Sequence, residues 1–519
     1  MKASNRIIVN TLAQYIRTII NMVLSLYSSR LVLNILGVDD YGIYSLVAGV
    51  VSMLSFLTNS LVGSTQRFLS VSQGKGNMER LKEIFNNSLI LHLALGVIVA
   101  IVLFALRPFI FDGFLNIPID SVGVAKELYI LVVLMVYISF IASPYRALLV
   151  SHENIVYTSI IDVLDGVLKV GLVLLLPYIP LGKLLAYGLI MLGIQIFNLL
   201  AFMTYSHLRY DECCWPKLSL FSFSYVKELS KFTGWVIYSS VCITLRNQGF
   251  AVVLNKIYGT AINAAYGIGM QISGMVSFIS TSFHNAIAPQ LMAAEGMGDR
   301  SKMLTLAEIQ SKISFLLLAM IGVPTIIEMP TILGMWLVEV PANTVLFASM
   351  FLSMQIVDML STGLAAANRA IGNIGRYTVY TYTPKLLIMP IGWFCLKMGS
   401  SLILIAVIMF AIETICMFIR IYLFRKYDWF NAKDFIFSVI LRSLPPVVVG
   451  GCVSLFVQLI NDVVLNFILC FTASIICFAI TAYAISLNKQ EKVFVKLIIK
   501  RFFWLRLNTN GLTLSRKSK

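Results

Sequence analysis

Long apolar runs constrain this chain more than any other feature. Each is about 18 to 28 residues long, the length of a helix that crosses a lipid bilayer. Hydrophobic residues make up 59% of the sequence and charged residues only 12%, against about 25% charged in soluble proteins. Backbone groups in lipid must be hydrogen-bonded within the chain, which a helix achieves. The sequence therefore predicts an all-α integral membrane protein.

Fourteen runs have the length and polarity of transmembrane helices, and short connections join them. No connection is long enough for a separate soluble domain, and the longest that is expected to face outward is 107–125. The predicted spans are 7–33, 42–66, 85–106, 126–150, 155–177, 183–207, 232–255, 262–290, 305–328, 345–368, 377–397, 400–424, 437–460 and 464–486.

The placement of charge predicts the orientation of these spans. If the N-terminus is cytoplasmic, most of the 40 Lys and Arg residues fall in cytoplasmic segments, because positive residues favour that side. Both termini are therefore predicted to be cytoplasmic, and the net charge of +16 is assigned to the membrane surface rather than to nucleic acid. The basic residues expected to face outward are Arg107, Lys126, Lys183, Lys256 and Lys397.

Short sequence matches recur between the two halves. Residues 41–43, Tyr-Gly-Ile, recur at 266–268, and residues 74–77, Gly-Lys-Gly-Asn, resemble Gly-Met-Gly-Asp at 296–299. Spans 1–6 then correspond to spans 7–12, and because six is even, both sets run in the same direction. Such a parallel repeat is suited to alternating access between two lobes.

The sequence therefore predicts five parts. They are the N-terminal lobe 1–207 (spans 1–6), a cytoplasmic linker 208–231, the C-terminal lobe 232–424 (spans 7–12), two additional helices at 437–486, and a basic cytoplasmic tail 487–519. In the tail, four lysines share one helical face, which predicts an interfacial helix on anionic membrane lipids; they are Lys489, Lys492, Lys496 and Lys500.

Polar residues form stripes on the first two helices of each lobe. Polar groups are costly in lipid, so such stripes are expected to line a cavity or to contact one another. Packing between helices is the common role of a single Ser or Thr, whereas an Arg at mid-membrane favours a wet central cavity. The residues predicted to line it are Gln14, Arg17, Asn21, Asn59, Arg246 and His284.

Acidic residues also occur inside the predicted spans. Asp162, Asp165 and Lys169 share one face of span 5, where Asp165 and Lys169 can pair within the helix. Asp358 in span 10 and Glu413 in span 12 each have a basic residue nearer the cytoplasm. Pairing within a lobe and coupling to protons or sodium ions are both open interpretations of these four acids.

Motifs of catalysis and cofactor binding are not found in the sequence. It contains no GxxxxGK[ST] phosphate loop, no HExxH, no GxSxG and no spaced Cys/His cluster. We therefore expect a protein that is not an enzyme, with no metal and no cofactor other than a coupling ion, H⁺ or Na⁺.

Two segments near the N-terminus are distinctive, LGVDDYGIYSLV at 36–47 and NSLVGSTQRFLSVSQGKGN at 59–77. Together with the fourteen spans in two lobes, they resemble the multidrug/oligosaccharidyl-lipid/polysaccharide (MOP) exporter superfamily, and within it the polysaccharide (O-antigen type) flippases. The resemblance covers nearly the whole chain and implies a MATE-like arrangement of the lobes.

The resemblance implies that the protein flips undecaprenyl-pyrophosphate-linked oligosaccharide from the cytoplasmic to the outer leaflet of the bacterial inner membrane by ion-coupled alternating access. It also implies contact with other membrane proteins of polysaccharide assembly. An Arg fork suits a pyrophosphate, so we expect Arg17, Arg246 and Lys169 to hold that group. Gln14, Asn21, Asn59 and His284 are expected to contact the sugar or to shape the cavity. Asp162, Asp165, Asp358 and Glu413 are the candidates for ion coupling.

Other functions remain open at this level. A lipid II flippase would also carry a lipid pyrophosphate and would also need basic cavity residues. A MATE-type cation or drug antiporter of the same fold would show acids in the cavity without prominent Arg. A polysaccharide polymerase or ligase would usually have a sizeable outward-facing loop, and the outward loops here are short.

Overall fold

The computed structural model describes residues 3–37, 40–41, 43–44, 47, 55–111, 121–180, 182–258, 260–337, 340–488 and 491–492. Every regular element in these ranges is a helix. The predicted all-α class is therefore confirmed.

The first six helices form what we refer to as the N-terminal lobe. They are α1 (Ala3–Leu36), α2 (Ser55–Lys75), α3 (Met78–Phe109), α4 (Val122–Ser151), α5 (Ile155–Leu174) and α6 (Lys183–Arg209).

The next six helices form the C-terminal lobe, and two more follow it. They are α7 (Phe223–Thr244, continued by Leu245–Gly249 and Phe250–Tyr258), α8 (Thr260–Gly296), α9 (Arg300–Ile327), α10a (Thr344–Met359) with α10b (Thr362–Ile371), α11a (Gly375–Leu386) with α11b (Ile388–Lys397), α12 (Leu402–Phe424), α13 (Ala432–Val457) and α14 (Val463–Ser486). A short helix, Met329–Trp336, connects α9 to α10a.

Each predicted span coincides with one of these helices or broken helices, although most of the first half of span 2 lies outside the described residues. Seven of the described helices are long and apolar enough to cross a membrane, and an eighth crossing is formed if α10a and α10b count as one bent span. The chain is a multi-pass membrane protein, and the total of fourteen crossings stays a prediction.

Three of the C-terminal-lobe spans are interrupted. A π-helical turn at Leu245–Gly249 interrupts α7, a bend of 50° separates α10a from α10b, and α11 is broken three residues after Pro384. Interruptions of this kind release backbone groups and redirect side chains, and they often occur at functional sites. All three lie beside charged residues described below.

Apolar side chains cover the outer surface of the bundle. On α3, for example, Ile101 is 62% exposed and Phe104 is 55% exposed. Exposed apolar surface of this extent would aggregate in water, whereas in a membrane it contacts lipid chains. Polar residues such as Gln14, Asn59 and His284 point inward instead and line a cavity.

The two lobes meet through α1 and α2 on one side and α7 and α8 on the other. The most extensive contacts are those of α1 with α8, α7 with α2, and α2 with α8, and smaller ones join α3 to α7 and α2 to α10b. Exchanging α1 with α7 and α2 with α8 leaves the three extensive contacts unchanged.

At the ends of α2 and α8 the two backbones touch. A Cβ atom on Gly74 would lie 2.1 Å from the Ala293 carbonyl oxygen, and one on Gly296 would lie 2.0 Å from that of Val71. Val71 and Ala293 are 222 residues apart in the sequence, and so are Gly74 and Gly296. The turns that follow also match, since Gly76 and Gly298 both have positive φ values, of 69° and 77°.

The predicted linker is shorter in the structure, and little of the predicted tail is described. Helix α6 ends at Arg209 and α7 begins at Phe223, so residues 223–231 of the predicted linker are already helical. Of the predicted tail helix only Glu491 and Lys492 are described, and the Glu491 carboxylate is buried against the Lys312 ammonium of α9, with N–O distances of 2.9 and 3.0 Å. The lipid-binding face predicted for the tail lies outside the described residues.

Candidate functional site

A cavity of about 510 Å³ lies between the two lobes, and we refer to it as the central cavity. Its walls come from α1, α2, α4 and α5 of the N-terminal lobe and from α7, α8 and α10b of the C-terminal lobe. Among the described residues that line it there is no carboxylate, whereas there are four guanidinium groups. These arginines are Arg17, Arg67, Arg146 and Arg369.

Two of these arginines share one carboxylate. The Oδ2 atom of Asp162 on α5 accepts hydrogen bonds from Arg17 Nη1 at 2.7 Å and from Arg146 Nη2 at 2.8 Å. The side chains of Arg17, Arg146 and Asp162 are all partly exposed. The structure therefore brings Arg17 and Asp162, which were predicted for different roles, into one ion-paired group.

Arg67 connects the lobes. Its Nε donates to the Arg369 carbonyl oxygen at 3.1 Å and its Nη2 donates to that of Ala370 at 3.0 Å. These carbonyls belong to the last turn of α10b, where a helix lacks internal donors and favours a cation. Gly372, with a φ of 93°, leaves the room for this contact, because a Cβ atom there would lie 2.1 Å from Arg67 Nη2.

The predicted residues Gln14, Asn59 and His284 also line the central cavity. His284 contacts the Nε2 atom of Gln310 on α9. The four arginines carry four positive charges, and Asp162, which pairs with two of them, carries one negative charge. The excess is three positive charges. The cavity therefore combines a strong positive charge with neutral polar groups.

A second cavity, of about 370 Å³, lies inside the N-terminal lobe, and we refer to it as the N-lobe cavity. It is lined by three of the predicted residues, Asn21, Asp165 and Lys169. Asp165 Oδ2 lies 2.7 Å from Lys169 Nζ, and its Oδ1 accepts a hydrogen bond from Asn198 at 2.7 Å. Lys169 and Asn21 are thus outside the lining of the central cavity.

The remaining predicted charges form a chain of ion pairs inside the C-terminal lobe. Arg246, on the π-helical turn of α7, lies 2.9 Å from the Glu413 carboxylate of α12. Lys385 of α11a contacts Glu413 as well and lies 3.7 Å from Asp358 of α10a.

The far end of that chain is Arg420, whose Nη1 lies 2.8 Å from Asp358 Oδ1 and donates to Ser361 at the bend of α10. Removing charges from water costs several kcal/mol per ion unless they are paired. Three cations and two anions pair here and leave an excess of one positive charge. Arg246 lies outside the residues that line the central cavity.

Sequence reasoning did not select Arg67, Arg146 or Arg369 as cavity residues. Arg67 directly follows Gln66 in the polar stripe of span 2, and Arg369 shares a helical face with Asp358 and Thr362. Arg67 and Arg369 directly follow the predicted cytoplasmic ends of their spans, where a basic residue is expected to set the orientation of the helix. Arg146 lies inside the predicted span 126–150, so the rule that an Arg within a span favours a wet cavity could have found it.

The fold is that of the MATE transporters of the MOP superfamily. The outward-facing conformation of a multidrug resistance MATE family transporter aligns with a TM-score of 0.70 at 15% identity, covering 82% of this chain and 96% of that one. A MOP superfamily transporter from Pyrococcus furiosus, described as having a binding pocket of reversed polarity, aligns with a TM-score of 0.70 at 14% identity, covering 84% and 97% of the two chains.

The particular family is defined by the sequence. The model of the polysaccharide biosynthesis protein family matches residues 4–293, more than half of the chain, and the chain belongs to this family. The uncharacterized membrane protein EpsK of Bacillus subtilis (strain 168) is 24% identical over 325 residues, which are 60% of this chain. The chain spans 61% of the length of that relative.

Proposed function

We propose that this protein flips a polyprenyl-pyrophosphate-linked oligosaccharide from the cytoplasmic to the outer leaflet of the bacterial inner membrane, by alternating access of its two lobes. The carrier lipid that the family suggests is undecaprenol. The observation that carries the proposal is the lining of the central cavity, whose described residues include four arginines and no carboxylate.

Pyrophosphate is the ligand that this charge favours. Guanidinium groups bind phosphate oxygens through paired, charge-assisted hydrogen bonds. Arg17 and Arg146 approach from the N-terminal lobe and Arg369 from the C-terminal lobe, so an anion between them would contact both lobes. Such a ligand experiences the relative movement of the lobes directly, which alternating access requires.

A cation antiporter is less consistent with the same geometry. Each acid considered for ion coupling has a basic partner within 2.9 Å, namely Asp162, Asp165, Asp358 and Glu413. An organic cation in the central cavity would meet an excess of positive charge. The reversed pocket polarity described for the Pyrococcus furiosus protein supports the use of pocket charge to separate functions on this fold.

Asp162 is the acid that we propose for coupling to H⁺ or Na⁺. It is bonded to two cavity arginines at once, so a proton or ion that neutralised it would release both guanidinium groups toward the substrate. We also place both termini in the cytoplasm, with anionic lipids and proteins of polysaccharide assembly as partners, and assign the protein no enzymatic activity.

The proposal is tested first in a strain that lacks this gene. Lipid-linked oligosaccharides are extracted, and a membrane-impermeant sugar-oxidising reagent reports which leaflet holds them, while surface glycan and drug tolerance are measured in parallel. We expect one oligosaccharide to accumulate facing the cytoplasm and one surface polymer to be lost. Unchanged glycans together with increased sensitivity to cationic drugs would contradict the proposal, and accumulation of peptidoglycan precursors would identify lipid II as the cargo.

The cavity assignment is tested by complementing that strain. Arg369→Gln and Arg146→Gln are expected to reduce surface glycan about tenfold or more at normal protein level, because each removes one charge-assisted contact to the pyrophosphate. Arg300→Gln is the matched control, since Arg300 lies at the start of α9 and does not line the cavity. Full export by both cavity variants would refute the assignment.

A further inference from the structure

Three cavities follow one another along α1. The central cavity includes Arg17, and the N-lobe cavity includes Asn21 and continues to Val32. Between them lies an open cleft of about 600 Å³, which both Arg17 and Asn21 line and which Phe278 of α8 bounds on the other side. A ligand with its charged end at Arg17 can therefore extend along the polar face of α1 into the N-lobe cavity.

The N-lobe cavity is lined by aromatic and hydrogen-bonding groups. Tyr44 and Tyr187 are arranged edge to face with their ring centroids 4.6 Å apart, and Tyr41 lies beside them. Tyr41 and Tyr44 belong to the segment 36–47 that carries the family resemblance. The paired Asp165 and Lys169 form part of the wall, together with Asn21, Ser25 and Ser28.

One polar atom in this wall lacks a partner. Asn21 Oδ1 is buried and has no hydrogen-bond partner among the described residues. A buried acceptor without a donor costs about 1–3 kcal/mol, and proteins rarely leave one without a reason. A rotation of the Asn21 amide toward the N-lobe cavity would let a ligand hydroxyl group supply the missing donor.

The charges of the N-lobe cavity favour hydroxyl groups over a bare cation. Both oxygens of Asp165 already accept, one from Lys169 and one from Asn198, so a metal ion would have to displace the ammonium group. A sugar hydroxyl both donates and accepts, so it can bond the carboxylate and the ammonium without separating them.

We propose that the N-lobe cavity is a carbohydrate subsite, which receives the sugar next to the pyrophosphate while the central cavity holds the pyrophosphate itself. This inference rests on the proposed function, because it takes the cargo to be a lipid-linked glycan. A volume of about 370 Å³ is at the lower end of the ~300–1,000 Å³ of small-molecule sites, so the subsite accommodates a short stretch of glycan and not a whole repeat unit.

Two probes separate the subsite from the pyrophosphate site. The first is undecaprenyl pyrophosphate without sugar, and the second is the lipid-linked oligosaccharide extracted from the strain that lacks the gene. Binding of each to the purified full-length protein in nanodiscs is measured by thermophoresis. Asn21→Ala and Asp165→Asn remove hydrogen bonds, and Ser28→Phe fills the cavity without removing charge.

We expect each of these variants to bind the oligosaccharide lipid about tenfold more weakly than the wild type, through lost polar contacts in the first two and through lost space in Ser28→Phe. Each should bind undecaprenyl pyrophosphate as before. Unchanged affinity of all three variants for the oligosaccharide lipid would overturn the subsite, and so would an equal loss for both probes. Failure of the wild type to bind undecaprenyl pyrophosphate would instead contradict the proposed function, so the two failures are distinguishable.

Discussion

At the scale of single residues, Asp162 determines how much positive charge the central cavity offers. It accepts hydrogen bonds from Arg17 and Arg146 and neutralises part of their charge. We predict that Asp162→Asn strengthens the binding of inorganic pyrophosphate about tenfold, because an anion in the cavity no longer faces a neighbouring carboxylate. Isothermal titration calorimetry on the purified protein measures the change.

The control for this prediction is Asp165→Asn. It removes the same charge from the same helix, one turn away, but its partner Lys169 lies in the N-lobe cavity. Its affinity for inorganic pyrophosphate should equal that of the wild type. Equal effects of the two substitutions would show that Asp162 acts only through overall charge.

A second residue-scale prediction concerns the loop between α6 and α7. The buried Glu212 lies 2.5 Å from His152 Nε2, and His152 stacks on Tyr210. Burial raises the pKa of Glu212. The hydrogen bond from His152, the loop backbone and the nearby Lys82 lower the pKa by more than burial raises it, so it lies below its ordinary value of 4.5. A carboxyl with a lowered folded-state pKa stabilises the fold above its unfolded pKa and loses that contribution as the pH falls through the folded value.

The stability of the protein should therefore decline as the pH is lowered below about 4.5, where the unfolded chain binds a proton that the folded chain resists. Glu212→Gln is expected to cost about 1–3 kcal/mol near neutral pH and to flatten this decline. Melting temperatures of the purified protein across that pH range test the expectation. A variant with the same acid dependence as the wild type would contradict it.

At the scale of helices, the crossing of α2 and α8 determines whether the lobes close at that end. No side chain fits at Gly74 or Gly296, because each backbone lies against a carbonyl oxygen of the other helix. We predict that Gly296→Ala separates the helices at a cost of about 1–3 kcal/mol. Spin labels at the ends of α2 and α8 should then report a longer and broader distance distribution.

Gly267→Ala is the matched control in the same helix. A Cβ atom at Gly267 meets nothing within 4 Å, and alanine favours the helix over glycine. This variant should keep the wild-type distance and stability. A wild-type distance in Gly296→Ala would mean that the two helices do not form the closure.

At the scale of the whole molecule, the three predicted crossings α9, α10 and α11 separate the α8–α9 turn from the α11–α12 turn. Because three is odd, the two turns are predicted to lie on opposite sides of the membrane. We predict, in a background without native cysteines, that Met398→Cys reacts with a membrane-impermeant maleimide in intact cells, because Met398 is exposed in the outward turn. Lys302→Cys should react only after the cells are permeabilised. Reaction of both in intact cells would contradict the predicted orientation.

The sequence by itself determined the class of fold and the general character of the interior. Bilayer thickness fixes the length of an apolar helix, and the 3.6-residue period fixes which residues share a face. These two rules suffice for the all-α membrane fold and for the polar stripe of α1 with Gln14 and Arg17. Local pairs such as Asp165 with Lys169 also follow from spacing on one helix.

Only the tertiary structure decided which stripes meet. Spacing along α7 cannot show that Arg246 faces Glu413 of α12 inside its own lobe, since 167 residues separate the pair. Nor can it show that Arg67 reaches the end of α10b, 302 residues away. Helix periodicity defines a face but not the helix against which that face packs. The four arginines of the central cavity lie on four different helices, and only the packing of those helices brings them around one space.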